Sequence, residues 1–303
     1  MAVITTGSHP KALWPGVYEW WGLKYNEHPV EWTDLFDTHS SEKNYEEVVQ
    51  STGFPLAPVK NQGESVTYAA THKQGFTTRF THVTYALGYI VTWEEIQDNL
   101  YMEISKRRSG ANAFSMRQTK ETVAAQFYNR AFNAAFPMAD GVSVINSAHT
   151  LIGGGTFSNL ASGDLSEAAL EDICIQIYGA TNDEGLRISL MPRSLNIPRQ
   201  LWFKANRILK SVLQNDTANN AVNVLKLVNA FPEGIKMNHF LTDPDAWFVR
   251  TNVSEGGLIH FKRHPIEFVQ DNDFDTKNAK AFSIERYSFG IADPRALYGS
   301  PGL

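Results

Sequence analysis

The stretch TWEEIQDNLYMEISKRRSGANAFSMRQTKETVAAQFYNRAFNAAF, residues 92–136, carries the longest helical pattern in the chain. Thr92 followed by Glu95 has the spacing of a capping box, in which each side chain bonds to a main-chain amide of the first helical turn. Apolar side chains then recur at intervals of three and four residues, which predicts a helix with one apolar face. The rest of the chain is expected to pack around this stretch.

The pair Ser109-Gly110 interrupts that apolar pattern. Glycine weakens a helix interior by about 1 kcal/mol relative to alanine, so a break is favoured there. The pattern then resumes and stops before Pro137, which cannot continue a helix. We therefore predict a short helix from Thr92, a hinge at Ser109-Gly110, and a spine helix over 114–136.

Length and composition limit the class of protein. A chain of 303 residues can hold one large domain or two, and 43% apolar residues are enough to form a core. The formal net charge of -5 argues against a nucleic-acid binder that works through overall positive charge. Cys174 is the one cysteine, which excludes an intramolecular disulfide and fits a reducing compartment.

Signals for export or membrane insertion are missing from the sequence. Residues 1–16 lack the positive region and apolar block of a secretory signal. No window reaches the roughly 18 apolar residues of a membrane span. We expect a protein that is made in the cytoplasm and either works there or is built there into something larger.

Residues 1–45 are rich in aromatic side chains but are broken by prolines and glycines. Pro15, Gly16 and Gly22 are expected to prevent a regular helix. Such a segment has apolar surface that it cannot bury locally, so an extended arm that packs along another subunit is one interpretation. A layer packed on the chain's own core is the alternative, and the sequence does not separate the two.

Residues 65–92 contain two alternating runs on either side of Lys73-Gln74-Gly75. A connection that contains glycine between such runs predicts a β-hairpin. Both faces of the runs are only weakly apolar, and a hairpin of this kind is marginal alone. We predict a hairpin that turns at 73–75, reaches out of the body and needs a partner surface.

The region after the spine has the pattern of a compact α/β unit. Asp164 or Ser166 is placed to cap the first of its helices, and Pro198 to end its strand. The predicted elements are a helix over 165–181, a strand over 186–198, a helix over 199–213 and a short strand over 224–230.

The carboxyl-terminal block is predicted to be β-rich. Pro265 inside one of its runs implies an edge strand or a bulge, because proline cannot donate to a strand ladder. The predicted strands cover 246–252, 258–270 and 281–293.

The acidic turn between the last two strands has Asp271, Asp273 and Asp275 at the alternate spacing that opens a calcium loop. Thr276 stands where that loop needs glycine, and Phe282 stands where it needs a bidentate glutamate. We therefore interpret the segment as a solvated turn.

The remaining motifs give no catalytic site. The run Gly153-Gly154-Gly155 is not followed by the Lys-Ser/Thr of a phosphate loop, so a flexible connection is favoured. The histidines show no HExxH spacing, and no G-x-S-x-G marks a nucleophile. Cys174 lies on an apolar helical face, where a buried structural thiol is expected. We predict no catalytic, cofactor or metal site.

One local basic cluster is present. It consists of Lys106, Arg107 and Arg108, together with Arg117 and Lys120. Such a cluster is usually a solvated face, and its functional alternative is contact with phosphate or an acidic neighbour. The sequence does not tell whether the first three residues face DNA or another subunit.

The closing motifs resemble a known family. A strand that bears Glu-Arg-Tyr at 285–287 follows the acidic turn and leads to Asp-Pro-Arg at 293–295 and Tyr-Gly at 298–299. LMPRSLNIPRQLWFKANRILKS, residues 190–211, adds a strand, a proline and a helix. These features are similar to the major capsid protein of tailed bacteriophages, the Hong Kong 97-type fold.

The resemblance implies an α+β, Hong Kong 97-like phage capsid fold. Its implied parts are an N-terminal arm over 1–45, an extended β-hairpin loop over 46–91, a peripheral domain with the spine helix over 92–165 and 240–303, and an α/β axial domain over 166–239. The chain starts directly at the arm, which favours a separate scaffolding protein or none.

The same resemblance implies the function. It predicts a major capsid (head) protein that self-assembles, as hexamers and pentamers, into the icosahedral shell around the double-stranded DNA of a tailed phage. The expected partners are further copies of the chain, scaffolding, portal and decoration proteins, and DNA bound non-specifically, with no membrane. The expected location is the virion, assembled in the bacterial host cytoplasm.

Two alternatives remain beside this prediction. One is an encapsulin-like cellular nanocompartment shell of the same fold, and the other is a metal-dependent α/β enzyme that uses the acidic turn at 271–275. Some relatives also cross-link a loop lysine to an asparagine of the next subunit. Lys60 and Lys73 are the candidates by position, and we expect no cross-link.

Overall fold

The computed structural model describes residues 14–68, 73–98, 101–213, 222–253, 256–273 and 275–302. Within these ranges, no helix combines the length and the apolar character that crossing a bilayer requires. The helices are α1 (Trp14–Tyr25), α2 (Trp32–Leu35), α3 (Trp93–Gln97), α4 (Tyr101–Asn129), α5 (Glu167–Tyr178), α6 (Trp202–Lys210) and α7 (Val224–Leu227). The strands are β1 (Asp37–Ser40), β2 (Tyr45–Ser51), β3 (Gln74–Thr81), β4 (Val83–Val91), β5 (His149–Thr150), β6 (Thr156–Phe157), β7 (Pro192–Pro198), β8 (Ile235–Asn238), β9 (Trp247–Thr251), β10 (Leu258–Asn272), β11 (Ala279–Ile291) and β12 (Leu297–Ser300).

The first sheet has the strand order β1-β10-β11-β4. The long antiparallel hairpin β10–β11 is its centre, and the acidic turn joins the two strands. The register shifts on both sides of His264, next to Pro265. The strands predicted over 258–270 and 281–293 are therefore confirmed, and of the edge strand or bulge predicted at Pro265, the structure shows a bulge.

The long helix α4 packs on β4 and β11 of this sheet. Ala113 and Met116 of α4 are buried in one apolar cluster with Phe268 of β10. Trp21 of α1 completes the cluster, with its ring stacked on Phe268 at a centroid distance of 5.2 Å. The carboxyl-terminal strands thus supply much of the surface on which α4 packs.

The N-terminal segment contains a regular helix, so the expectation that Pro15, Gly16 and Gly22 would prevent one is wrong. Proline is tolerated in the first turn of a helix because its missing amide hydrogen has no helical partner there. The two glycines lie within α1, whose packing on α4 offsets their low propensity. In the described part, 14–36 is thus a layer on the chain's own core and not an extended arm.

The predicted hinge at Ser109-Gly110 is wrong, because α4 runs without interruption through both residues. Gly110 lies against α1, where an added Cβ would stand 3.6 Å from Lys24 Cγ. Ser109 is fully buried, and its hydroxyl donates to the Lys106 carbonyl at 3.1 Å. Close packing of two helices therefore explains the small residues.

The boundaries of the helical stretch also differ from the prediction. The capping box is confirmed, since the Thr92 amide donates to Glu95 Oε2 at 3.0 Å and the Glu95 amide donates to Thr92 Oγ1 at 3.3 Å. The helix that it caps, α3, ends at Gln97, before α4 begins. The spine ends at Asn129 and not at residue 136. At this end of the helix, the Asn129 side chain bonds to the main chain of Phe240 and Thr242.

The second sheet has the strand order β12-β9-β7-β8 and carries the largest apolar cluster. The predicted helix α5 is confirmed, and the Ser166 hydroxyl caps it by accepting the Ala169 amide. Strand β7, which ends at Pro198, and helix α6 are confirmed as well. The strand predicted over 224–230 is wrong: this segment forms the short helix α7, which the Asn223 side chain caps.

The second sheet draws strands from both sides of residue 239. Strands β7 and β8 precede this position, whereas β9 and β12 follow it. Trp247 of β9 and Tyr298 of β12 share the apolar cluster with α5 and α6. The division of the chain into an axial and a peripheral domain stays a prediction.

The predicted hairpin has a different partner strand. β3 pairs antiparallel with β2, from Tyr45↔Thr81 to Ser51↔Gln74, so the turn predicted at 73–75 is wrong. The connection between the two strands covers 52–73, of which 69–72 lie outside the described residues. After a break at His82, the chain continues into β4 of the first sheet.

Candidate functional site

The segment 52–68, which joins β2 to β3, has apolar side chains in solvent. Val59 is 92% exposed and Tyr68 is 89% exposed. Phe54, Leu56 and Val66 are exposed as well. Large apolar side chains that a single chain leaves in water are typical of a surface that a partner covers.

The base of this extended segment is fixed to the first sheet. Gln50 Nε2 donates to the Ala292 carbonyl at 2.7 Å. Phe80 is buried against Gly290, where an added Cβ would stand 2.7 Å from the Phe80 ring. His82 lies between two serine hydroxyls, with Ser288 Oγ at 3.0 Å, and burial lowers the pKa of its imidazole. The first sheet therefore fixes the ends of strands β2 and β3, while residues 53–68 are exposed to solvent.

A groove of about 770 Å³ lies between this base, the end of α4 and strand β11. Five consecutive residues of β3, 77–81, line it, and residues of α4 and the 135–139 loop form the opposite wall. Its apolar lining includes Phe127, Phe136 and Phe289. Since side chains of a strand alternate between faces, a run of consecutive lining residues means that the unpaired edge of β3 borders the groove.

A second exposed apolar surface lies on the helical side of the second sheet. Phe203 of α6 is 75% exposed, although neighbouring residues of the same helix are buried. Between residues 175 and 228, further exposed apolar side chains include those of Ile175, Met191, Val212, Leu227 and Val228. The subunit thus has a second surface that fits contact with another chain.

Glu285 and Tyr287 of the Glu-Arg-Tyr motif of β11 lie in the interior and hold α4 on the first sheet. Glu285 is 1% exposed and accepts a bond from Lys120 Nζ at 3.0 Å. The Lys120 ammonium also lies 4.9 Å from the ring centroid of Trp32 and 4.8 Å from that of Tyr287. Burial lowers the pKa of Lys120 and raises the pKa of Glu285, and the attraction between the two groups offsets this only in part.

The Asp-Pro-Arg motif joins the carboxyl-terminal segment to the loop after α5. Arg295 donates to Asp183 Oδ1 at 3.0 Å and to the Thr181 carbonyl at 2.9 Å. Asp293 accepts the Arg295 amide at 2.9 Å, and burial raises the pKa of its carboxyl group. The motif is therefore a structural tie between segments more than 100 residues apart.

The five basic residues predicted as one cluster do not share a surface. Arg117 and Lys120 are buried, and the Arg117 guanidinium lies 4.6 Å from the ring centroid of Tyr25. Arg108 donates to both oxygens of Glu95, at 2.9 and 3.1 Å. Lys106 and Arg107 are exposed. The helical periodicity that turns these side chains in different directions explains the difference.

The acidic turn is closed by its own hydrogen bonds. Asp273 forms an ion pair with Lys280, and its Oδ1 accepts the Asp275 amide at 3.1 Å. Within the described ranges, no three or more His, Cys, Asp or Glu side chains are grouped to hold a metal ion.

The glycine run, the cysteine and the two lysines singled out in the sequence lie at separate places in the fold. Gly154 and Gly155, both with positive φ, form the turn of the β5–β6 hairpin. Cys174 is buried as predicted, and burial raises the pKa of its thiol to about 11. Lys60 and Lys73 are exposed on the segment between β2 and β3.

The fold is shared with solved shell proteins. Three similar structures are a virus-like particle from Pyrococcus furiosus, the capsid of an empty GTA particle and the capsid of cyanophage P-SCSP1u, with TM-scores of 0.55, 0.54 and 0.53. Their identities to this chain are 11%, 8% and 11%, and the matches cover 94%, 89% and 91% of this chain and 98%, 89% and 88% of theirs. The architecture is therefore the α+β capsid fold of the Hong Kong 97 type.

A family model described as phage capsid protein matches residues 75–300. The chain therefore belongs to the phage capsid protein family, and it is a major capsid shell protein and a component of the virion. No curated protein matches the sequence.

Proposed function

We propose that this protein is the main subunit of an icosahedral phage head and that its shell encloses double-stranded DNA. The observation that carries the proposal is the extended segment 52–68, whose large apolar side chains lie in solvent in the single chain. When a subunit buries these apolar groups against its neighbours, their removal from water stabilises the assembled state. The role is structural, and we propose that the chain has no catalytic activity.

The groove at the base of the segment is the second half of the proposed contact. Its 770 Å³ volume, aromatic walls and open β3 edge fit an extended segment that adds main-chain hydrogen bonds. Each subunit would give one segment and receive another, so every contact would be repeated around hexamers and pentamers. Many weak contacts of this kind close a shell through avidity, without a strong single contact.

The proposed partners extend beyond copies of the chain. We infer separate scaffolding, portal and decoration proteins, assembly in the host cytoplasm, and non-specific contact with packaged DNA. We also propose that 166–239 surrounds the five-fold and six-fold positions as the axial domain, with 92–165 and 240–303 as the peripheral domain. The exposed apolar side chains of α6 and α7 support this placement, because they give that part of the subunit a contact surface.

The test is assembly of the expressed protein, alone and with its neighbouring gene products. The variant Val59→Asp/Tyr68→Asp places charge at the two most exposed apolar positions, and Ser65→Asp is the matched control at an exposed polar position of the same segment. We expect closed shells by negative-stain electron microscopy from the parent and from Ser65→Asp, and unassembled subunits from the double variant.

Sedimentation as a monomer under all assembly conditions would contradict the proposal. Shells that contain cargo proteins and no DNA would instead indicate a nanocompartment. Mature particles should give a single band at the 33.9 kDa subunit mass on denaturing gels. A ladder of higher bands would show that Lys60 or Lys73 forms a cross-link.

A further inference from the structure

A buried polar cluster joins the two apolar cores of the subunit. It lies in the 138–161 region, where Leu160 packs on the core of the first sheet and Ala161 packs on the core of the second. Next to these residues, the Ala161 amide donates to the Gly299 carbonyl at 2.8 Å, and the Gly299 amide donates to the Asn159 carbonyl at 3.2 Å. A change in the conformation of this junction would therefore affect the packing of both apolar cores.

Asn159 is fully buried at the centre of the junction, and its hydrogen bonds fix the orientation of its amide. Its Nδ2 lies 2.8, 3.1 and 2.9 Å from the carbonyl oxygens of Val144, Pro294 and Leu297, and its two N–H groups donate to this set of acceptors. Its Oδ1 accepts the Asn146 amide at 2.8 Å. A flipped amide would place oxygen against carbonyls and NH₂ against an N–H, so Oδ1 must be the acceptor.

The same Asn159 oxygen determines which nitrogen of His149 carries a hydrogen. His149 Nε2 lies 3.1 Å from Oδ1, so Nε2 must carry hydrogen and donate it. His149 Nδ1 lies 2.6 Å from Asp140 Oδ2. A bond of that length requires a proton between the two atoms, either on Nδ1 or on the carboxyl group. The pair thus holds one proton more than a neutral imidazole beside a carboxylate.

The pair is buried, so no water molecule can act as a hydrogen-bond partner in place of the shared proton. The His149 side chain has no exposed surface, and that of Asp140 is 6% exposed. One ring face of His149 stacks on Phe157 at 5.1 Å, and Arg295 lies over the Phe157 ring at 5.0 Å. Asp183 and Asp293 neutralise the Arg295 charge, at 3.0 and 3.4 Å. Asp140 is therefore the charged group in direct contact with the imidazole.

We propose that Asp140, His149 and Asn159 form a proton-dependent clasp that holds the junction between the two cores closed. When a base in solution takes up one proton from the pair, the remaining imidazole hydrogen stays at Nδ1, where it faces the carboxylate. The bare Nε2 lone pair then faces Asn159 Oδ1 without water, so the bond between His149 and Asn159 is lost and the clasp loosens. The proposal concerns the folded subunit and does not depend on the proposed shell.

Two substitutions at residue 140 distinguish the effect of the shared proton from the effect of the hydrogen bond between residues 140 and 149. In Asp140→Asn, the new amide NH₂ can donate to Nδ1 while Nε2 donates to Asn159, so the clasp closes with a neutral imidazole and needs no additional proton. In Asp140→Ala, Nδ1 loses its partner at every pH. The measurement is hydrogen exchange by mass spectrometry, corrected for the intrinsic rate, on peptides that cover 157–163 and 297–300.

The exchange is measured over a range from about pH 6 to about pH 9, which covers neutral and mildly basic solution, where histidine side chains in general can change charge. In the parent protein, we expect protection of the two junction peptides to fall at least about tenfold over this range, while the peptide over 279–291 keeps its protection. Asp140→Asn should show no such fall, and Asp140→Ala should show low protection throughout.

A parent protein whose junction protection is unchanged over the range would overturn the proposal, and this readout needs no variant. An equal fall in Asp140→Asn would also overturn it, because the loss would then not come from the shared proton.

Discussion

Replacement of Lys120 by Met is expected to destabilise the subunit strongly. Lys120 and Glu285 are joined at 3.0 Å, and their side chains are 9% and 2% exposed. Removal of the ammonium leaves the Glu285 carboxylate buried without its cation. The loss of one partner from a buried ion pair typically costs about 3–5 kcal/mol in the free energy of unfolding.

Removal of both charges is expected to cost much less than removal of one. Burial outweighs the mutual attraction in the pKa of each partner, so the pair gains little over neutral groups of similar size. We expect Lys120→Met/Glu285→Gln to lie within about 1–2 kcal/mol of the parent protein. The coupling energy of the double-mutant cycle should then exceed about 2 kcal/mol.

The assay is urea unfolding of the unassembled subunit near pH 7, with the slope of the transition checked for each variant. Arg107→Met at an exposed position of α4 is the matched control and should change stability by less than about 0.5 kcal/mol. At pH 5 the loss in Lys120→Met should shrink, because an unpaired buried carboxyl group takes up a proton. If the double variant is as unstable as the sum of the two single variants, the two groups are not coupled and the reasoning fails.

Two further predictions concern the same helix. Gly110→Ala should stabilise the subunit by about 0.5–1 kcal/mol, since the added Cβ has ordinary contact distances and alanine favours a helix; destabilisation in urea would instead show that the contact between α1 and α4 has no room for a methyl group. Glu121 accepts the amides of Glu31 and Trp32, and burial raises the pKa of its carboxyl group to about 7 from 4.5. Its contribution to stability is therefore greatest below about pH 4.5 and is lost as the pH rises through about 7, on the order of 3 kcal/mol in total. Glu121→Gln should remove this part of the pH dependence of unfolding, and an unchanged profile would contradict the assignment.

The elements that the sequence predicted well are those with local signals. Ser166 precedes an amphipathic run by the spacing of an N-cap, and Pro265 lies inside an alternating run, so each specified its structure within a few residues. Residues 224–230 failed because a short apolar run has no period that separates strand from helix. The Asn223 side chain caps the helix by accepting the Lys226 amide. An asparagine directly before the apolar run could have predicted the start of a helix.

Long-range pairing was not predictable from the same patterns. The partner of β3 is β2, and more than 20 residues separate the two strands. Alternating runs carry no information about which other run they pair with when both faces are weakly apolar. The burial of Lys120 was also not predictable from the sequence. Its partner Glu285 lies 165 residues away, and only the fold brings Glu285 into contact with α4.

The residues that hold the subunit together differ in chemistry from those proposed to join subunits. Glu285 and Arg295 are buried ionisable groups at the contacts between distant segments, whereas Val59 and Tyr68 have apolar side chains that lie in solvent. Stability and assembly should therefore respond to different variants. Lys120→Met should lower the free energy of unfolding of the isolated subunit, and Val59→Asp/Tyr68→Asp should prevent shells while leaving that free energy within about 0.5 kcal/mol, because it changes only exposed positions. This separation follows only if 52–68 has no role in the folded monomer, so a large loss of stability in the loop variant would show that the segment folds back on its own chain.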